Sequence, residues 1–130
     1  MKLCRYGRNG FEKPGMIDSQ GMLRDLSGIT QVIDQETISP RGLAKLRKLA
    51  KGKLAPVKGK PRFGIPWEGI GKVICIGLNF SDHAKETGVD PFEKPRIIFK
   101  MPSAVVGPNA TVRAPAAVQK FDFEGELAVV

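Results

Sequence analysis

The chain contains a single histidine, and it lies three residues ahead of a glutamate: His83 and Glu86, within Gly77-Leu78-Asn79-Phe80-Ser81-Asp82-His83-Ala84-Lys85-Glu86. Imidazole is the side chain best suited to take and give a proton near neutral pH. On a helix, positions i and i+3 share a side, so the carboxylate can hold the ring in one tautomer. The same spacing is also common as solvated surface decoration. A second candidate set is Asp122, Glu124 and Glu126 in Asp122-Phe123-Glu124-Gly125-Glu126-Leu127. Alternate residues of a strand point the same way, about 6.5–7 Å apart. Two such carboxylates can grip one cation, and an all-oxygen set suits Mg²⁺, Mn²⁺ or Ca²⁺ rather than zinc. The bland alternative is an amphipathic strand with a wet acidic face. Gly125 argues against it, since glycine there would let a backbone or a ligand approach closely.

These residues need elements to hold them. Val73-Ile74-Cys75-Ile76 is a continuous apolar run, as in a strand buried on both faces. Gly77 ends it, and Ser81 or Asp82 is positioned to cap a short helix that stops near Gly88. Asp90-Pro91 and Lys94-Pro95 predict a loop. Strand patterns return at 96–100, at Val105-Val106, at 111–113 and from Phe121 to Val130. Such short strands predict an α+β protein whose second part is a mixed β-roll or sandwich.

Upstream, Lys2 to Tyr6 reads as a strand, and 16–24 as a hairpin turning at Ser19-Gln20-Gly21. Residues 29–38 are ambiguous between loop and short helix. A better-signalled helix follows, capped by Ser39 with Pro40 at its first position. Leu43, Leu46 and Leu49, with Ala44 and Ala50, form its apolar stripe, and Gly52 closes it. From Gly52 to Gly71 the composition shifts to Gly, Pro and Lys, with Trp67 expected to anchor the segment. The expected organisation is a small α+β unit over 1–52, a linker over 53–70, and a larger domain from 71 to 130. The chain stops in an apolar strand with no turn after it, which predicts a fragment of a longer protein.

Composition narrows the classes. At 130 residues, 42% hydrophobic and 26% charged, the chain is of ordinary globular make-up. No apolar run approaches the ~20 residues of a membrane span. The first residues lack a signal-peptide pattern. With two cysteines, Cys4 and Cys75, the expectation is a soluble cytoplasmic protein with free thiols. The net charge of +8 is local: residues 41–62 hold nine basic side chains and no acidic one. A solvated basic face is expected there. Nucleic acid is disfavoured as a partner, because no aromatic residues interleave to stack bases. Dinucleotide fingerprint, phosphate loop and zinc-finger spacing are all absent.

The order and spacing of four blocks resemble the fumarylacetoacetate hydrolase family. They are 76–86, then Ile98-Phe99-Lys100-Met101-Pro102-Ser103-Ala104, then Gly107-Pro108, then 122–130. The first 70 residues resemble the small N-terminal extension of bacterial members known as ureidoglycolate lyases or hydroxyheptadienedioate isomerases. The resemblance implies a metal-dependent enzyme on a mixed β-roll, a homodimer acting on small 2-oxo or 1,3-diketo acids. It carries the metal-ligand role onto Glu124 and Glu126, the acid/base role onto His83 and Glu86, and a site lysine onto Lys100. Asp122 matches the leading acidic residue of the metal motif, outside the ligand set. The third ligand of the family lies downstream of Val130, so this length of chain is expected to be inactive alone. Phe80 stands where tyrosine is usual. The alternative expectation is a non-catalytic fragment or a binding module using the basic 41–62 segment.

Overall fold

The structure is a computed structural model that describes residues 1–50, 54–90 and 92–130. Among the described residues there are two small antiparallel sheets, three α-helices and one 3₁₀ turn. Strands β1 (Lys2–Tyr6), β2 (Lys13–Ile17) and β3 (Leu23–Asp25) form one sheet in the order β1-β2-β3. Ile17 pairs with Lys2 on one side and with Leu23 on the other. The expected hairpin is therefore present, and local chemistry explains its tip. The Asp18 carboxylate accepts from the N–H groups of Gln20 and Met22, both at 2.9 Å, and pairs with Arg24 at 2.7 Å. Gly21 supplies the left-handed residue, with φ 78°.

The Gly/Pro/Lys-rich segment covers both open edges of this sheet. Ala55 accepts from Asp25 N and Val57 N donates to Leu23 O, each at 2.9 Å. Further on, Arg62 O accepts from Gly7 N and Gly64 N donates to Arg5 O, again at 2.9 Å. Exposed strand edges invite pairing with other chains, and one strap here protects the outer edges of both β1 and β3. Trp67 on the same segment is half-buried.

Helix α1 (Gln35–Ile38) is capped by Asp34, which accepts from Thr37 N at 2.9 Å. The ambiguous 29–38 stretch thus ends in a helical turn. Helix α2 (Pro40–Leu49) has the expected start, with Ser39 Oγ accepting from Gly42 N at 3.1 Å and Pro40 in the first turn. Its apolar stripe needs correction. Leu46 is buried, but Ala44 is exposed and Leu49 is 44% exposed. The helix packs against α1 with Leu46 as its buried residue, and Leu43 and Ala50 are half-buried. Gly52, the expected end of the helix, lies outside the described residues.

Glu12 sits at the junction of sheet and strap, 7% exposed, between Arg5 at 3.7 Å and Arg62. Burial alone would raise its pKa. Its own backbone contact and the Arg62 and Arg5 guanidinium groups outweigh that, holding it below its ordinary value of 4.5. A depressed carboxyl stabilises the fold above its unfolded pKa, and that stability is lost as pH falls through the folded value. Glu12→Gln is therefore expected to lower the melting midpoint at neutral pH, with the gap to the parent chain narrowing on acidification below about pH 4.5. A gap that stays constant down the acid range would show that the carboxylate charge is not what matters.

The second sheet pairs β4 (Val73–Gly77) with β5 (Arg96–Lys100). Both strands are where the sequence places them, yet β4 is not buried on both faces: Ile74 is 54% exposed, and across the ribbon Phe99 is 70% exposed. An apolar run records a demand for cover, and no described element supplies a second layer over this ribbon. The strands expected at 105–106, 111–113 and 121–130 are likewise absent among the described residues. Pro102–Ala104 is a 3₁₀ turn, and from 121 on the chain makes no ladder, leaving Phe123 89% and Val129 92% exposed. Alternation of residue types sets which face a strand would bury. It does not supply the neighbouring strand whose N–H and C=O groups make the ladder. The structure is thus a mixed α and β arrangement with two small sheets, and shows neither roll nor sandwich among the described residues.

Candidate active site

The candidate dyad is built by the turn from β4 into α3 (Ser81–Thr87). Gly77 ends the strand, and Leu78 takes a left-handed backbone with φ 52°, a conformation that costs a non-glycine residue of the order of 1–3 kcal/mol. This corner aims the chain out of the ribbon and into the helix. The expected cap is corrected: the residue before the helix is Phe80, with no side-chain cap bond, and Asp82 Oδ1 instead accepts from the adjacent His83 N at 3.0 Å. Leu78's strain had no signal in the sequence, since leucine is among the last residues a left-handed corner would choose.

The far end of α3 is as expected. Gly88 is left-handed, its N–H donates to Lys85 O at 3.2 Å, and Val89 N donates to Ala84 O at 3.1 Å, a Schellman closure. Ala84 is 1% exposed and roots the helix. His83 and Glu86 stand on its outer side, 47% and 81% exposed, with Nδ1 to Oε2 at 3.5 Å. That is longer than a normal hydrogen bond, and an exposed pair of this kind contributes little to stability. Catalytic contacts are often loose without substrate, so the geometry suits a proton-transfer pair open to solvent.

The other candidates are placed apart by register. Lys100 pairs with Val73, whereas Arg96 pairs with Gly77, where the chain leaves for α3. Lys100 therefore lies four residues, about 13 Å of strand, from the His83 end of the ribbon. Glu124 and Glu126 lie exposed on the segment after 121, which has no assigned secondary structure, and Asp122 Oδ1 accepts from Phe123 N at 2.8 Å. A Cβ on Gly125 would meet nothing within 4 Å, so the close approach expected there involves no described residue.

The chemistry of Glu124 and Glu126 fits a hard divalent cation as two oxygen donors. Their number does not complete a site, because no group of three or more His, Cys, Asp or Glu is gathered for a metal among the described residues. Cys4 and Cys75 are free thiols, and burial pushes that of Cys4 up to about 11. No helix among the described residues is long and apolar enough to cross a membrane. The sequence reading missed the charged cluster in which Glu12 bonds Arg62 and Arg5 bonds Glu68, because its members are 50 to 63 residues apart and carry no local pattern.

Comparison with known proteins bears on residues 72–130, which match the family model described as the C-terminal part of fumarylacetoacetate (FAA) hydrolase. The whole chain is 43% identical over 130 residues to a protein of Burkholderia orbicola named as a hydrolase, covering 46% of it. It is 44% identical, over 44% of the relative's length, to a protein of a Sphingomonas species named 2,4-didehydro-3-deoxy-L-rhamnonate hydrolase. A Burkholderia multivorans protein, also named as a hydrolase, is 43% identical with 46% covered. The chain spans a little under half the length of these relatives. The segment that carries the His83–Glu86 pair, Lys100 and both glutamates is the segment that matches the fumarylacetoacetate hydrolase family model.

Proposed function

We propose that the whole protein bearing this chain is a divalent-metal-dependent enzyme, a hydrolase in the first instance, acting on small 2-oxo or 1,3-diketo acids as a homodimer. The observation that carries this reading is the His83–Glu86 pair, held on a rooted, solvent-facing helix inside the matched segment. The hydrolase names of the relatives support the reaction class.

In this reading Glu124 and Glu126 contribute to the metal site, with the remaining donors supplied from elsewhere in the whole protein. A bound Mg²⁺, Mn²⁺ or Ca²⁺ would supply Lewis-acid polarisation of substrate oxygens. The remaining steps belong to the chain's own residues. Glu86 faces Nδ1 of His83 and leaves Nε2 free to take a proton from the water that adds to the substrate carbonyl. The same nitrogen then returns the proton to the leaving carbon. Lys100, about 13 Å along the strand from the His83 end, would offer its ammonium to the substrate carboxylate only through its long side chain reaching back toward that end. Lyase or isomerase chemistry would use the same proton shuttle without the added water.

The test is turnover of an acylpyruvate by a protein carrying this chain at the length of its relatives. EDTA is expected to abolish turnover, and Mg²⁺ or Mn²⁺ in excess to restore it. Turnover that persists after exhaustive chelation removes the metal from this reading, and indifference to every 2-oxo and 1,3-diketo acid removes the substrate class.

A further inference from the structure

We propose that the chain carries a second small-molecule site, for a small carboxylate with an apolar body, in the groove between the β2–β3 hairpin, the strap and the 108–110 loop. The groove is open to solvent along one side and has a volume of about 760 Å³, within the usual range of roughly 300–1,000 Å³ for ligand pockets. Met22, Val57 and Phe63 give it apolar walls, Asn109 and Gln20 offer amides, and Lys60 and Arg62 supply its charge. No acidic residue lines it, and no residue of the candidate dyad or of the glutamate pair does either. The site is independent of the catalytic reading.

Charge selects the ligand. Arg62 is held by the Glu12 carboxylate and by Asn9 at 3.3 Å, so its charge is already matched. Lys60 is exposed and makes no ion pair among the described residues. It remains as the cation that an incoming anion would meet over an apolar wall. The wider field has the same sign. Residues 1–70 hold 14 basic and 6 acidic side chains, whereas 71–130 hold seven of each. The whole net charge therefore lies on the half that supplies the hairpin and strap walls of the groove, and it favours approach of an anion.

The architecture also fits a preformed pocket. The hairpin tip is fixed by the Asp18 bonds, and the strap is fixed by its ladder bonds to β1 and β3. The third wall is seated by Gly107, whose α-carbon is packed so closely that a Cβ would come within 2.6 Å of Phe63 O. Asn109 then turns the loop with a left-handed φ of 64°. Three segments distant in sequence converge, each locked by its own contacts, so little ordering is left for the ligand to impose.

The experiment is a heteronuclear NMR titration of the 130-residue chain with hexanoate, hexanamide and hexylammonium. Hexanoate is expected to give saturable shifts at Met22, Val57, Phe63 and Ala110, hexanamide weaker ones, and hexylammonium none. Lys60→Gln should weaken hexanoate by roughly 1.5-fold to fivefold, the range for one solvent-exposed charge pair, and leave hexanamide unchanged. Equal binding of the ammonium, shifts confined to the Ile97–Phe99 face, or indifference to Lys60→Gln would overturn the proposal. So would hexanoate binding to this chain but not to a protein of its relatives' length, since the groove would then be filled by the protein itself.

Discussion

Replacing His83 with alanine, in a protein carrying this chain at its relatives' length, is expected to cut acylpyruvate turnover by roughly 10²–10⁴-fold. The fold should be untouched. His83 is 47% exposed on a helix anchored instead by Ala84 and by the Gly88 closure, so no buried contact is lost. No other histidine exists in the chain to take over. Metal affinity should also be retained, because the proposed ligands are carboxylates on a different segment. Glu86→Gln should cost less, since the 3.5 Å contact orients the ring without closing a strong bond. The diagnostic pattern is a fall in kcat for His83→Ala with metal binding and melting midpoint unchanged. Unaltered turnover would falsify the dyad, and loss of fold or metal along with activity would reassign His83 to a structural role.

The two kinds of prediction made from sequence fared differently, for a physical reason. Elements specified by their own residues were legible. Ser39 and Pro40 started α2, Gly88 closed α3, and Gly21 turned the hairpin, because each acts within four residues of itself. The His83–Glu86 contact belongs to this group. Features that depend on a distant partner were not legible. Proline and glycine marked 53–70 as non-helical, but nothing in that composition says that Val57 bonds Leu23 or that Gly64 bonds Arg5. The same holds for 105–130, where apolar alternation specified a face and left the neighbour unspecified. Among the described residues no strand pairs with Phe121 to Val130, so Glu124 and Glu126 gain no shared face. The carboxylate pair is therefore a statement about donor chemistry, and the imidazole pair a statement about geometry.

Gly107 joins the two groups, and substituting it should produce the largest structural effect of any single methyl added to the matched segment. Its neighbours are backbone atoms: a Cβ would lie 2.6 Å from Phe63 O and 2.9 Å from the carbonyl carbon of Gly64. Neither can swing aside as a side chain would. Phe63 bridges to Tyr6, which is 7% exposed, and Gly64 N is bonded to Arg5 O at 2.9 Å, so relief on that side means breaking the strap away from β1. The remaining route is for the 105–110 loop to lift off, which exposes the 107–110 turn closed by Ala110 N on Gly107 O at 3.2 Å. Overpacking of this kind costs typically about 1–3 kcal/mol, a shift of several degrees in melting midpoint for a chain this size. Gly125→Ala is the matched control, since its new methyl meets nothing within 4 Å. We expect Gly107→Ala to melt several degrees below Gly125→Ala and to lose amide-exchange protection at Ala110 first. If the two variants melt together, residues 105–110 do not rest on the strap, and the Gly-Pro pair at 107–108 owes its glycine to something other than this contact.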